Sequence, residues 1–289
     1  MELRQIRYVM AVAETRNFTR AATQCYVAQS ALSHQVKALE QELGVALFAR
    51  TSRRVELTPA GAAFIPAAQE CLDAAERAAA DAAAAVGEVR GRLAIGIIPT
   101  VAALDIPATL QRFRERHPRV RVSLRVGASD EMAADVAAGN LDIAILGLPA
   151  HDRPQDVEVR ELARQDLVAV VPVNHQLAER GTVTLRELAE SPFADFHTGS
   201  PGRAQSDEAF AAAELERTVA YEVTSAELMM RIVSQGLAVA FLPAPIAQSN
   251  PDVRVLSVTD GPRRIEYLAW SEFNPTPATR AFLASLPSL

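Results

Sequence analysis

What this 289-residue sequence lacks narrows its chemistry before any motif is read. Cys25 and Cys71 are its two cysteines, one in an expected turn and one on an expected helix, an arrangement that suggests neither a disulfide framework nor a metal site. Five scattered histidines show no metal-ligand spacing, and no phosphate-cradling glycine loop or nucleophile elbow is recognisable. These absences argue against an enzyme and imply no cofactor. No run approaches the roughly 18 to 20 apolar residues of a membrane span. The chain starts directly on an amphipathic helical pattern instead of a basic-then-apolar leader, so a cytoplasmic protein with no membrane partner is expected.

A deficit of positive charge would also disfavour a nucleic-acid partner, since the net charge is −6, but the distribution says otherwise. From Met1 to Thr58 eight basic residues face five acidic ones, which leaves the first 58 residues at +3 and the remainder at −9. An acidic body repels DNA and leaves only the basic end to dock.

That end carries the most informative stretch, Phe18 to Gly44. Phe18, Ala21 and Ala22 form an apolar patch on a short helix that Asn17 can cap. Cys25 to Ala28 break the period, and a second helix follows in which Leu32, Val36, Leu39 and Leu43 make one stripe for burial. Its other face carries Ser30, Ser33, His34, Lys37 and Gln41, a polar surface of the kind a major groove admits. The same pattern fits any amphipathic hairpin with a solvated side. After it, Leu47 to Arg50 and Thr51 to Thr58 read as a hairpin with a basic tip, which places a phosphate-holding wing beside the polar helix. A preceding helix over Glu2 to Glu14, with Leu3, Ile6, Met10 and Ala13 inward, completes a three-helix unit.

Taken together, Leu3, Phe18, Thr19, Ala21-Ala22, Gln29-Ser30-Ala31-Leu32-Ser33, Leu39-Glu40, Leu43-Gly44, Leu47-Phe48, Arg50 and Leu57-Thr58-Pro59-Ala60-Gly61 form a long collinear signature. It resembles the DNA-binding head of the LysR-type transcriptional regulators. The resemblance covers Met1 to about Val89 most closely. It implies an N-terminal all-α winged helix-turn-helix over 1–58, with Thr19, Gln29, Ser30, Ser33, His34, Lys37, Arg50, Arg53 and Arg54 at the DNA. Two positions depart from the family pattern: His34 stands where Arg is frequent and Ser30 where Pro is common. A bidentate guanine contact of the arginine type is therefore not implied at His34.

Thr58-Pro59 is an N-cap followed by proline at the first helical position, and it opens a long helix expected to run to about Val89, before Gly91. Phe64, Ala68, Cys71, Ala75, Ala78, Ala82, Ala85 and Val89 recur with alternating spacings of four and three. Ile65, Leu72, Ala79 and Val86 widen the stripe. Such a seven-residue repeat of small residues implies a closely approaching partner helix, although an alanine-rich helix lying on its own domain has the same pattern. Pro66, inside it, should kink it. The family resemblance implies a linker and dimerisation helix over 59–90, pairing antiparallel with that of a second copy through Phe64, Ala68, Cys71, Ala75, Ala78, Ala82 and Val86.

From Arg92 onward short β-rich runs alternate with helical patterns. Strands are expected at Leu93 to Ile98, Val120 to Val126, Leu141 to Leu146, Asp166 to Val173, Thr218 to Val223, Leu237 to Leu242, Val253 to Val258 and Ile265 to Trp270. Helices are expected at Ile106 to Arg116, Glu131 to Ala138, Leu185 to Ala189, Gln205 to Leu215 and Ala226 to Gln235. This alternation predicts parallel sheets of the α/β class, with ligands at the carboxyl ends of strands. In the strand Arg119 to Val126 apolar residues should face inward and three arginines outward, either as a charged edge or as a face for a second effector domain. The resemblance implies a two-lobed, periplasmic-binding-protein-like (type II) effector domain over 91–289. One lobe would comprise about 92–162 and 266–289, the other about 163–265.

Four turns put small polar groups after a strand and near a helix start: Pro99-Thr100, Gly127-Ala128-Ser129, Phe196 to Arg203, and Thr224-Ser225. Each could hold an anion or be a plain cap. Thr100, Ser129, Thr198 and Thr224 fall where the family's effector cleft draws contacts. His197 and Arg203 could neutralise a carboxylate, so a small organic acid is expected, and no aromatic cluster near these turns favours a flat apolar ligand. The function so implied is sequence-specific DNA binding to an interrupted inverted repeat by a homodimer or homotetramer that responds to a small molecule. The alternatives are a solute-binding protein or enzyme on the two-lobed fold, or a ligand-independent DNA-binding repressor.

Overall fold

The structure, a computed structural model of the chain, describes residues 1–50, 55–248, 250–273 and 275–287. It divides into two compact units, Met1–Gly87 and Glu88–Leu289.

The first unit comprises helices α1 (Leu3–Thr15), α2 (Phe18–Gln24) and α3 (Gln29–Leu43), strands β1 (Phe48–Arg50) and β2 (Val55–Leu57), and helix α4 (Pro59–Ala84). Asn17 caps α2, its side chain accepting from the Arg20 amide at 2.9 Å. The three helices close over Val9, Val12, Ala21, Leu32, Val36 and Leu39, and Leu47 and Phe48 bring the antiparallel hairpin onto the same core. Phe18 meets Phe48 edge to face at 5.9 Å, tying α2 to the hairpin. Glu40 does the same for α3, accepting from the amides of Leu47 at 2.8 Å and Phe48 at 3.1 Å.

Three expectations for this unit change. Leu43 lies at the exposed end of α3, so the buried stripe stops at Leu39. In α1 the buried apolar set is Ile6, Tyr8, Val9, Ala11 and Val12, with Gln5 buried beside them, and Leu3 is exposed, because α1 packs against α2, α3 and α4 and needs a broader face than one stripe. Finally α4 runs without a break through Pro66 but ends at Ala84, not near Val89: Gly87 takes a left-handed φ of 83° and its amide bonds back to the Ala84 carbonyl.

The second unit contains β3 (Gly91–Ile97), α5 (Ile106–Arg116), β4 (Val120–Val126), α6 (Ser129–Ala137), β5 (Ile143–Pro149), β6 (Glu158–Pro172), β7 (Thr182–Val183), α7 (Leu185–Leu188), β8 (Pro192–Asp195), α8 (Pro201–Ala212), β9 (Thr218–Glu222), α9 (Ala226–Ser234), β10 (Ala240–Pro243), α10 (Ala244–Ala247), β11 (Val253–Val258), β12 (Arg263–Trp270) and α11 (Pro277–Ser285). Strands β4, β3 and β5 are parallel neighbours, whereas β12 lies antiparallel between β5 and β6. The first half of β6 pairs with β12, and from Leu167 onward its second half pairs antiparallel with β10 and β11. One strand thus passes from one lobe to the other.

Each lobe is a sheet covered on both faces. In the first, Leu93, Ile95, Ile143 and Leu268 face α5 and α11, and Ala94, Ala144, Leu146 and Ala269 face α6. In the second, Phe193, Phe210 and Phe241 cluster on one face and Met229, Val233 and Leu242 on the other.

The sheets are mixed, not parallel as expected, because β6 and β12 are direct returns between the lobes and have no helical crossover. Strand β4 also departs: Val122, Leu124 and Val126 are exposed together with its arginines, since β4 is a sheet edge whose apolar side nothing in the chain covers among the described residues.

Gly61 sits under the hairpin, where an added Cβ would overlap the Leu47 carbonyl oxygen. Replacing Gly61 with Ala should therefore destabilise the first unit by about 1–3 kcal/mol through overpacking. Urea unfolding followed by circular dichroism would show a lowered midpoint, and an unchanged midpoint would contradict this packing.

Candidate nucleic-acid interface and ligand cavity

In the first unit the burial of Leu32, Val36 and Leu39 sets which side of α3 faces out. Gln29, Ser30, His34, Lys37 and Gln41 are exposed on that side, Ser33 is half-buried, and Thr19 is exposed on α2. Tyr26, in the turn between α2 and α3, is 95% exposed with a left-handed φ of 56°, and sequence reasoning passed it over. The break in helical period at Cys25 to Ala28 was the one signal for it. Arg53, Arg54 and the side chain of Arg50 lie outside the described residues.

Along α4, Phe64 is half-buried against the head's core and Ala68 is buried. Ala75 is half-buried, whereas Cys71, Ala78, Ala82 and Val86 are exposed. Most of the stripe beyond Ala68 is therefore open in the single chain.

The second unit holds a cavity of about 260 Å³. Its walls come from the loop after β3 (Ile98, Pro99, Thr100), the end of β4 and start of α6 (Val126 to Ser129, Glu131), Gly147 of β5, Leu167 of β6, and the loop into α8 (Phe196, His197, Ser200, Gly202, Gln205). Thr224, Phe241, Pro243 and Arg264 complete it. Four of the expected residues, Thr100, Ser129, His197 and Thr224, are thus brought together.

Thr198 and Arg203 are not among the lining residues. The Thr198 hydroxyl donates to Glu222 at 2.9 Å. Arg203 is drawn toward carboxylates, with Nε 2.9 Å from Asp207 and Nη1 3.4 Å from Glu222, while Nη1 also donates to the Phe196 carbonyl at 3.2 Å. Behind it Arg217 donates to Asp195 and Asp207, each at 2.7 Å, and lies over the rings of Phe193 and Phe210. Burial pushes the Asp195 carboxyl above its ordinary range, and Arg217 opposes that shift.

The guanidinium that does line the cavity is Arg264, which sequence reasoning missed. It is buried and held on three sides: Nε donates to Gln165 at 2.8 Å, Nη1 to the Thr100 hydroxyl at 2.7 Å, and Nη2 to the Thr100 carbonyl at 2.7 Å and to Glu266. Glu266, fully buried, also accepts from the amides of Ala102 at 3.0 Å and Ala103 at 3.0 Å, which anchors the loop after β3 to β12. A buried ion pair depends on such hydrogen bonds to most of its remaining donors and acceptors. Burial draws the Arg264 pKa below its ordinary value, and Glu266 counteracts it. Sequence spacing could have flagged Arg264 and Glu266, which share one face of a strand.

The turns also sort into caps and lining groups. Ser200 and Ser225 cap α8 and α9 through the amides of Arg203 and Leu228. Ser129 does not cap α6; its hydroxyl exchanges hydrogen bonds with the Gly147 backbone at 3.0 and 3.1 Å. The Gln205 amide reaches the same Gly147 carbonyl at 3.2 Å, so α8 of one lobe is bonded to β5 of the other at the cavity wall. Phe196, which opens one of the four expected turns, and Phe241, from a strand outside them, supply an aromatic lining where no aromatic cluster was expected.

Among the described residues no group of His, Cys, Asp or Glu could hold a metal ion, and no helix is long and apolar enough to cross a membrane.

Comparison with known proteins places these two units. The family described as "Bacterial regulatory helix-turn-helix protein, lysR family" matches residues 3–62, and "LysR substrate binding domain" matches residues 87–288. The chain is 34% identical to the uncharacterised HTH-type transcriptional regulator YnfL of Escherichia coli K12, and 32% identical to the Hca operon transcriptional activator HcaR of the same strain. Each alignment covers 98% of this chain and 96% of the relative. Among solved structures, full-length CbnR complexed with its target DNA superposes with a TM-score of 0.76 at 27% identity, over 99% of this chain and 98% of that one. That family consists of transcriptional regulators and not enzymes. The chain belongs to the LysR family of DNA-binding transcriptional regulators, with a winged helix-turn-helix head and a two-lobed effector-binding domain.

Proposed function

We propose that this regulator acts in the bacterial cytoplasm as a homodimer or homotetramer that binds an interrupted inverted repeat and responds to a small organic acid. The observation that carries the reading is the outward polar face of α3, held out by the burial of Leu32, Val36 and Leu39. Ser30, Ser33 and His34 would approach base edges, and Gln29, Lys37 and Thr19 would meet bases or backbone beside them. Arg50, Arg53 and Arg54, by their place in the sequence, would hold phosphates. Two copies related by a two-fold axis would require two-fold symmetry in the operator.

The exposure of Cys71, Ala78 and Ala82 on α4 and of Val86 just beyond it, with Ala75 half-buried between them, supports pairing with a second copy. The cavity in the second unit favours a ligand-responsive regulator over a ligand-independent repressor, since Thr100, Ser129, His197 and Thr224 converge on a half-open cleft with mostly apolar walls. A ligand there would act through different affinity for two arrangements of the lobes.

Mobility-shift titrations of operator and scrambled duplex at several salt concentrations test the DNA assignments. Lys37→Ala should weaken both duplexes and lower the salt slope by about 1, whereas His34→Ala or Ser33→Ala should alter preference among operator variants by about 1–3 kcal/mol. Equal losses on every duplex for all three variants would reject the roles. For the linker, replacing Ala75 and Ala78 with Leu should overpack the pair and shift sedimentation toward monomer. An unchanged assembly mass would remove that stripe from the interface.

A further inference from the structure

The cavity's chemistry specifies a narrower ligand than an organic acid in general, provided it is the effector site proposed above. Arg264 is the one buried cation among the described lining residues. A guanidinium carries five N–H donors. Gln165, the Thr100 hydroxyl, the Thr100 carbonyl and Glu266 take four, which leaves one on Nη1. Gly147 keeps the space beside that donor clear: a Cβ there would lie 3.4 Å from Nη1 and 2.7 Å from the Ile98 side chain.

We propose that the ligand is a monocarboxylate with a single-ring or branched aliphatic body. Its carboxylate is seated at Arg264 Nη1 and Thr100, and its body lies against Phe196 and Phe241. The free donors set the limit of one carboxylate. Glu266 already balances Arg264, so the carboxylate is held by hydrogen bonds from Arg264 Nη1 and the Thr100 hydroxyl and not by net charge, and a second anionic group would lack those bonds while facing Glu131 on the same wall. Size sets the limit on the body. An apolar cavity of about 150 Å³ accepts benzene. The 260 Å³ found here, in a cleft open on one side, takes one ring plus a carboxyl group within its walls and falls short of the larger sites that hold drug-sized ligands.

The walls agree with this: Ile98, Val126, Leu167, Phe196 and Phe241 give the body apolar contact. Phe196 is fixed from behind, its amide donating to Asp195 at 2.7 Å and its carbonyl accepting from Arg203. Arg203 is thus a positioning residue for the aromatic wall instead of a direct ligand contact.

The test uses the full chain with named probes: benzoate, cyclohexanecarboxylate and 4-methylpentanoate against benzamide, phthalate, succinate and 2-naphthoate, read by thermal shift and calorimetry. At least one of the first three should raise the melting temperature and bind at least tenfold tighter than the amide, the dicarboxylates and the two-ring acid. The double variant Arg264→Met with Glu266→Met removes both charges together and leaves neither unpaired; Thr100→Val removes the hydroxyl alone. Each should weaken binding at least tenfold, and Thr100→Val decides the matter if the double variant does not fold. Failure of all three monocarboxylates to bind, equal binding of benzamide or a dicarboxylate, or undiminished binding by Thr100→Val would overturn the proposal. A gel shift separates this from the regulatory reading. A monocarboxylate that binds yet leaves the DNA complex unchanged rejects effector response and keeps the ligand class. A compound of other chemistry that changes DNA affinity does the reverse.

Discussion

The burial of three side chains on one side of α3 is the constraint on which the DNA-binding unit depends. Leu32, Val36 and Leu39 are fully withdrawn from solvent, and each contributes about 1.5–3 kcal/mol by being so. Rolling the helix to hide its polar side would expose all three, a loss on the order of the whole net stability of a small domain. The outward display of Ser30, His34 and Lys37 is therefore a by-product of core formation and needs no separate device. Glu40 and Phe48 extend the constraint to the hairpin, which is hydrogen-bonded and packed to the same helix.

In the second unit the comparable constraint is the sharing of β6 and β12. Because β6 pairs with β12 in its first half and with β10 and β11 in its second, the lobes are joined through continuous backbone ladders. The cavity lies beside that junction. Arg264, on β12, occupies its wall and is balanced from behind by Glu266, which holds the loop after β3, and Gln205 bonds across to Gly147 from the other lobe. A ligand entering there touches groups from both lobes, which is the geometric requirement for a small molecule to bias how they stand relative to each other.

Much of this was readable in the residue pattern, for reasons that are local. The cap at Asn17, the period of Leu32, Val36 and Leu39, and the Thr58-Pro59 helix start are short-range signals, and the structure has each where the pattern put it. Strands Val120 to Val126 and Val253 to Val258 and the helix Ile106 to Arg116 match their expected bounds. The misreadings are long-range. Whether β4 buries its apolar row depends on what lies across the sheet edge, and mixed pairing depends on β6 and β12 returning directly. Thr198 and Arg203 directly follow His197 and Gly202, which do line the cavity, but Glu222 and Asp207 draw their side chains elsewhere. Arg264, 164 residues from Thr100 in the chain, reaches the cavity only through sheet pairing.

The most direct measurement is site-specific photocrosslinking of the full chain on operator duplex, with benzoylphenylalanine replacing His34 in one variant and Arg186, on α7 of the second unit, in another. Covalent transfer to DNA from position 34, suppressed by excess unlabelled operator and absent from position 186, is the predicted result. Transfer absent at position 34 while the variant still shifts operator would contradict the claim that the exposed side of α3 meets the duplex.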